Sequence, residues 1–554
     1  MGEDRGSARR VIVLGGYGGF GGRVALLLAR TGFAVTVAGR DGRKAEAFCR
    51  LHPDERFAPL ALDRNAVAAT LAVERPWLVV DAAGPFQGSD YQVAEACIAA
   101  GAHYFDLADA RAFVTGVRRL DQAARAADVA VISGVSSLPA LSSAVADHLA
   151  AGLDRVTRID TALSASNRAS GGTSTTRAIL SYVGRPIRLW RGQAWREAFG
   201  WQEMAKVTFA IPGHRPLRRR VALCDVPDLD LLPDLYPGRP AVRFRAGTEI
   251  EIQNIALWLL SWPVRWKWVR GLGALVRPGV WAQKALGRIG GDRSAMAMDV
   301  KGWGGGDPIH RRWTLIAEKG DGPWIPAMAA ALLAERLQGG EVAPGARTAA
   351  GSLALADFEC AFADFAIASA TEEERVSPLY ARIMGDGFAR LPETVRALHL
   401  VNGELAAAGA AEVIRGRSLP ARLIGWIAGF PPAGRTDLRV RMDEVAGVET
   451  WHRDFGGHAF FSRLSQHEAM VVERFGPIRF AMALPNRADG LSMHIVKWWL
   501  GPVRMPLILA PRCVAVEREA DGLFHFDVAI RLPLVGPLVH YRGWLEAPKP
   551  PAEA

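Results

Sequence analysis

From residue 10 to residue 150 the chain alternates short runs of β-branched and other apolar residues with longer stretches in which apolar positions recur every three or four. RVIVLG, AVTVAGR, PWLVVDAAG, HYFDLAD and DVAVISG read as strands, and GGRVALLLARTG, RKAEAFCRLH and YQVAEACIAAG between them read as helices. Strands that alternate with helices of ten or more residues predict βαβ units and a parallel sheet covered by helices, so a doubly wound α/β domain is expected over 1–150. From 151 to 324 the pattern loosens. SASNRASGGTSTTRAILSYVG reads as a polar loop opening a helix, and AVRFRAG and SAMAMDVKGW as strands, which predicts an α+β second domain. PWIPAMAAALLAERLQGG is a helix with proline near its start and glycines after its end, and TEEERVS at 371–377 reads as a solvated linker with a boundary near 370. Over 376–548 short alternating runs are punctuated by glycine and proline, as in ETWHRDFGG, HAFFSRLS and LFHFDVAIRLP. This predicts antiparallel strands and hairpins in a β-rich α+β or barrel-like domain.

The first strand and helix are joined by LGGYGGFGGR, in which Gly16, Gly18 and Gly21 stand as GxGxxG. At a first βα turn this spacing serves a dinucleotide. The first glycine permits the tight turn, the second lets the backbone approach a pyrophosphate, and the third brings the helix close to the sheet, with the phosphates at the helix N-terminus. Tyr17, Gly19 and Phe20 complete the candidate cradle, and Arg23 faces either phosphate or solvent. The second strand ends in Gly39 and Arg40 where an acidic residue would bind the ribose hydroxyls of NAD(H). An arginine there pairs with a 2′-phosphate, so NADP(H) is favoured over NAD(H), with Arg43 and Lys44 as helpers. Asp63, closing the third strand, either touches the adenine or caps the next helix. Ala82, Ala83, Gly84 and Pro85 leave room for a flat ring at the carboxyl edge of the fourth strand and are assigned to the nicotinamide side.

Composition narrows the remaining choices. With 554 residues the chain is long enough for three or four folding units, and 50% hydrophobic against 22% charged residues suits buried cores. The net charge of +10 leaves anionic partners open, among them phosphorylated cofactors and anionic membranes. Five scattered cysteines with no CxxC pair suggest neither a disulfide framework nor a zinc site, so no metal is expected and a reducing cytoplasm fits. The opening MGEDRGSARR lacks the apolar region of a signal peptide, and the longest uncharged stretch is broken by serines, a glycine and a proline, so no transmembrane helix is expected.

Five of the 17 tryptophans fall between 258 and 281, interleaved with Arg265, Lys267, Arg270, Arg277 and Lys284. Trp258, Trp262 and Trp266 align on one helical face until Pro263 kinks or ends the helix. Two readings stay open for 255–288: docking on an anionic membrane, or a packing or homodimer face. Nucleic acid is not expected. The segments 419–432 and 497–511 are similarly apolar, and if they join such a surface an apolar substrate follows.

GGYGGFGGR, VAGR, VVDAAGPF, HYFDLAD and SGVSSLPALSS, in that order and spacing, resemble the saccharopine dehydrogenase-like reductase family. The resemblance covers the first 150 residues well, and 151–365 mainly through GGTSTTRAILS and GSLALADFE. It implies a Rossmann domain that binds NAD(P), a second domain for substrate binding and often dimerisation, and a late segment near 325–365 returning to the first domain. HRDFGGHAFFS, ERFGPIRF, LGPVRMPLILAP and VHYRGWL resemble a domain of unknown function fused behind such reductases.

Hydride transfer also needs a proton carrier within reach of the substrate. Tyr104 and Asp106, with Asp109, follow the fifth strand near the mouth of the sheet and either orient substrate or cap the next helix, while His103 reads as structural. No YxxxK pair is present. Asn167, Arg168, Ser170, Thr173 and Ser174 form a polar loop suited to an anionic substrate group or to solvent. His452, His458 and His467 fit no common zinc spacing. The expected activity is an NADP(H)-dependent oxidoreductase acting on a carbonyl, imine or activated double bond of a small molecule, an apolar one if the segments 419–432 and 497–511 join the tryptophan-rich surface. A non-catalytic NADP(H) sensor or scaffold is the alternative.

Overall fold

The computed structural model describes residues 9–53, 56–168, 173–286, 290–487 and 489–548. The first sheet contains β1 (Arg10–Leu14), β2 (Ala34–Gly39), β3 (Phe57–Ala61), β4 (Leu78–Asp81), β5 (His103–Asp106) and β6 (Ala130–Ser133). The order is β3-β2-β1-β4-β5-β6, with the strand Gly345–Thr348 added beside β6, and every pairing is parallel. Covered on both faces, these strands need no alternation, and Val11 to Leu14 and Leu78 to Asp81 are buried throughout. α1 (Gly19–Arg30) lays Val24, Ala25, Leu28 and Ala29 on this sheet, and the helix Ile325–Gln338 returns to pack against α1. α2 (Gly42–Leu51) follows β2.

The second sheet is mixed, in the order 205–209, 217–223, 241–248, 155–165, 294–304, 307–317, 367–375. Its last strand corrects the reading of 371–377 as a linker: Ile367–Arg375 pairs antiparallel with 309–317. The glutamates are exposed because they lie on an edge strand. Glu373 pairs with Arg311 at 2.7 Å, and local charge hides the strand from a composition reading.

The third unit is a sequential antiparallel meander that closes on itself. Strand 404–415 pairs with 434–445 on one side and with the last strand, 536–545, on the other, and 478–483 pairs with 490–500. The ring is a closed β-barrel of ten strands, 404–415, 434–445, 448–455, 458–467, 470–475, 478–483, 490–500, 512–520, 523–532 and 536–545. Closure removes the sheet edges. Alternate residues point inward, among them Leu405, Ala407, Ala411 and Val413 on the first strand and Leu438, Val440 and Met442 on the second. At one end the helices between 379 and 399 close the barrel, and the second sheet docks there. The Lys301 ammonium meets Glu444, Arg158 reaches Asp443 at 3.6 Å, and Thr157 Oγ1 donates to the Asn402 carbonyl at 2.5 Å.

Glu449 lies wholly buried inside the barrel, where Trp451 Nε1 donates to its Oε2 at 2.8 Å and Oε1 has no partner among the described residues. Burial pushes this carboxyl up to about 7. The native state then holds a proton that the unfolded chain has already released, so stability falls as pH rises from the ordinary glutamate range to about 7. Glu449→Gln removes this titration. Its melting temperature relative to the wild type is expected to rise between pH 5 and pH 8, and thermal unfolding with an unchanged offset across that range would contradict the assignment.

The tryptophan-rich segment forms the helix Glu251–Arg265, and Pro263 falls in its last turn, where it ends rather than kinks it. Asn254 bonds the Arg220 carbonyl of the second sheet at 3.0 Å, and Ser261 and Val264 pack at Gly184, with Gln202 donating to Ser261 Oγ at 2.6 Å. Trp258, Trp262, Trp266 and Trp268 form a ladder with ring centroids 4.9 to 5.7 Å apart, half-buried at Trp258 and exposed at Trp266 and Trp268. No helix of the described residues is long and apolar enough to cross a membrane.

Candidate dinucleotide site

The turn between β1 and α1 is built from close approaches that only small residues permit. Gly15 has φ +72°, in the left-handed region, and a Cβ on it would meet the Ala82 carbonyl oxygen at 3.1 Å. The Gly16 amide donates to the Ala38 carbonyl at 3.1 Å and the Gly18 amide to the Gly15 carbonyl at 2.8 Å, which fixes the loop against β2. A Cβ on Gly21 would lie 2.2 Å from the Gly15 oxygen and 3.2 Å from the Ala82 Cβ. The turn, the first coil of α1 and the end of β4 thus meet at one point. The first intrahelical bond is Gly22 N–H to the Gly18 carbonyl, and the amides of Gly19, Phe20 and Gly21 have no acceptor among the described residues. The first turn of α1 carries no acidic side chain. Three amides at a helix N-terminus with space beside them, since nothing lies within 4 Å of a Cβ on Gly19, form an anion cradle.

Tyr17 crosses from this turn to the end of β2. Its ring lies so close to Gly39 that a Cβ there would sit 2.5 Å from it, and its hydroxyl accepts from the Asp41 amide at 3.1 Å. Gly39 is therefore required by the tyrosine. Arg40 follows, exposed and without an ion-pair partner among the described residues. Asp41 caps α2 by accepting from the Lys44 amide, and the Lys44 ammonium lies 3.5 Å from the same carboxylate, so Lys44 is occupied while Arg43 is exposed. Asp63 is a cap: its carboxylate accepts from the Asn65 amide at 2.9 Å in the turn after β3. Arg23 folds back along α1, where its Nη1 donates to the Gly19 carbonyl, and its guanidinium lies 5.4 Å from the Trp324 ring of the returning segment.

At the end of β4, Ala82 and Ala83 face the glycine turn, and Gly84 and Pro85 continue along the same edge. Buried Asp81 accepts from the Ala83 amide at 2.9 Å and from Arg64 Nη2 at 2.6 Å. Burial raises the Asp81 carboxyl and the Arg64 charge opposes the rise. Sequence reasoning missed this pair, which holds the 82–85 turn in place. The only signal was an aspartate closing an apolar strand.

Neither of the two residues offered as proton carriers presents surface to a ligand. Tyr104 is 1% exposed in the apolar layer behind the sheet. Asp106 is fully buried, and its Oδ1 accepts from the Gly134 and Ala108 amides and from Ser133 Oγ at 2.8 to 3.0 Å, tying β5 to β6. Burial pushes it up to about 7. His103 Nδ1 accepts from the Ala130 amide, a structural role. Asp109 is exposed and accepts from Gln87 Nε2 at 3.2 Å. Arg111 crosses to the second domain, bonded to Asp225 at 3.0 Å and to Asp230. Near this junction Tyr182 keeps its proton, raised by burial and by Cys224, with the charges of Asp109 and Asp225 adding to the effect. No spacing in the sequence marks Tyr182.

Of the polar loop, the Asn167 amide is bound to Glu249 at 3.0 Å, so a carboxylate of the protein already occupies it. Ser170 lies outside the described residues, and the helix opens at Thr173. His452 stands 3.3 Å from Asp443, while His458 and His467 sit exposed at opposite ends of one strand.

Parallel strands in the order 3-2-1-4-5-6, with a glycine cradle at the first turn, define a Rossmann-type dinucleotide-binding domain. Residues 11–132 match the saccharopine dehydrogenase NADP binding domain, and residues 391–545 match a domain of unknown function, DUF4166. The first domain is thus a cofactor module of the saccharopine dehydrogenase type, the module of NAD(P)-dependent oxidoreductases. No curated protein matches the chain. Similar solved structures include saccharopine dehydrogenase (L-Glu forming) from Saccharomyces cerevisiae, 12% identical over 66% of this chain and 100% of that one, with a TM-score of 0.43. Homospermidine synthase from Legionella pneumophila, in complex with NAD, is 11% identical over 68% and 93%, with a TM-score of 0.44.

Proposed function

We propose that the chain is an NADP(H)-dependent oxidoreductase that transfers hydride to or from a carbonyl, imine or activated double bond of a small apolar molecule in the cytoplasm. The observation that carries this reading is the cradle: three amides of α1 without acceptors among the described residues, walled by glycines and by Ala82, with Arg40 exposed at the end of β2. Gly16 to Gly21 hold the pyrophosphate, Arg40 takes the 2′-phosphate, Asp63 and its turn border the adenine, and Ala82 to Pro85 flank the nicotinamide. When bound, NADPH would give the hydride and NADP+ would accept it, with the accompanying proton supplied in the first case and taken up in the second by water or by a side chain at the domain junction. The exposed tryptophans of 255–288 support contact with an anionic membrane surface.

A second reading, a sensor that binds NADP(H) without turnover, draws on one observation: Tyr104 and Asp106 are both buried. Incubating the purified protein with NADPH and a small-molecule cell extract separates the two. Consumption of NADPH that is lost in a cradle variant is expected. Tight binding without consumption would leave the sensor, and no binding would remove both.

A further inference from the structure

The barrel has one end closed by helices and by the second domain, and one free end. Strand direction alternates around the ring, so the segments 416–433, 501–511 and 533–535 all emerge at the free end. Two contacts tie the first of these to the last: the Gly416 amide donates to the Leu538 carbonyl at 2.9 Å, and Ser418 Oγ to the Val535 carbonyl at 3.3 Å.

The helix Leu419–Ile427 packs at this mouth against the last strand, the wrong way round for a helix of a water-soluble surface. Its small residues, Ala421 and Gly425, face the barrel, while Leu419, Leu423, Trp426 and Ile427, spaced i, i+4, i+7 and i+8, face outward and are 58 to 79% exposed. Leu507, Ile508 and Leu509 are exposed beside the strand end at 500, and Leu534 stands fully exposed at the tip of its hairpin. Clustered apolar exposure on this scale marks a contact surface.

Charge identifies the partner. The stretches 415–436, 498–516 and 528–541 contain seven arginines and not one carboxylate, and the neighbouring Lys497 is paired with Glu468 at 3.8 Å. Arg417, Arg422, Arg504, Arg512 and Arg531 have no ion-pair partner among the described residues, and Arg512 stands directly across the ladder from Arg531. Like charges facing each other without a counterion are unfavourable in water and are relieved by external anions. Apolar side chains at the tip of a surface, with a collar of arginines behind them that have no ion-pair partner among the described residues, match the chemistry of an anionic bilayer, where the tips enter the acyl boundary and the collar meets the headgroups. We propose that the free mouth of the barrel docks on an anionic lipid bilayer. The inference is independent of cofactor turnover and of the tryptophan-rich helix.

Co-sedimentation of the full chain with vesicles tests it. The wild type is expected to bind vesicles of phosphatidylcholine mixed with phosphatidylglycerol and to bind phosphatidylcholine alone at least about tenfold more weakly. Leu423→Asp with Trp426→Asp, and separately Arg417→Glu with Arg422→Glu, are each expected to lower binding about tenfold or more. Both pairs are exposed, so an unchanged melting temperature and NADPH titration show that the fold is intact. A wild type that stays in solution, or mouth variants that bind as the wild type does, would overturn the proposal. If binding were lost only in Trp266→Asp with Trp268→Asp, the contact would belong to the second domain, and the proposal would fail while that reading stood. Equal binding to charged and neutral vesicles would overturn the role of the collar.

Discussion

Gly21→Val is expected to abolish dinucleotide binding, with a loss of about a hundredfold or more in affinity, because its Cβ has no place to go. The atom would sit 2.2 Å from the Gly15 carbonyl oxygen, a backbone atom held by the left-handed turn, with the Ala82 side chain closing the other side. Relief requires α1 to move away from the sheet, and the amides of Gly19, Phe20 and Gly21 move with it. Gly19→Ala is the control. Nothing lies within 4 Å of that Cβ, so the same helix end gains a methyl group without displacement. Calorimetric titration with NADPH, with a thermal melt of each variant, decides the matter. A Gly21→Val protein that folds and binds as the wild type does would show that the cradle is not where the cofactor sits.

The second large effect is on cofactor choice. Arg40→Asp places a carboxylate where a guanidinium stands exposed after β2, and it is expected to weaken NADPH binding by about thirtyfold or more while leaving NADH nearly unchanged. Lys44 cannot compensate fully, because its ammonium already neighbours Asp41. Equal losses for both cofactors would point to damage of the β2 end, where Tyr17 packs on Gly39, and no loss for either would remove Arg40 from the site.

The first sheet was legible because its strands are short, fully apolar and separated by helices, and because the glycine turn has one structural solution. The barrel's strands were legible by alternation, but its closure was not. The pairing of 404–415 with 536–545 joins segments more than a hundred residues apart and leaves no local mark. The same holds for Arg64 with Asp81 and for Arg111 with Asp225 and Asp230, whose residue types are ordinary and whose meaning lies in position. Tyr104 and Asp106 stand at the right end of the right strand, yet period-two geometry sends Tyr104 into the helix layer, and Asp106 is spent on joining β5 to β6. The glutamates of 371–375 misled because an edge strand tolerates a composition that a central strand does not.

The seventh strand of the first sheet, Gly345–Thr348, has a consequence for synthesis. It pairs with β6, which ends at Ser133, and the whole second domain up to the strand at 307–317 is made in between. At about 5 to 20 residues per second a ribosome needs roughly 10 to 40 s to cover that interval. For that time the nascent cofactor domain carries β6 as a bare apolar edge, and its α1 lacks the returning helix. The glycine cradle is made within the first 82 residues, but the sheet that carries it becomes complete only after residue 348 has emerged.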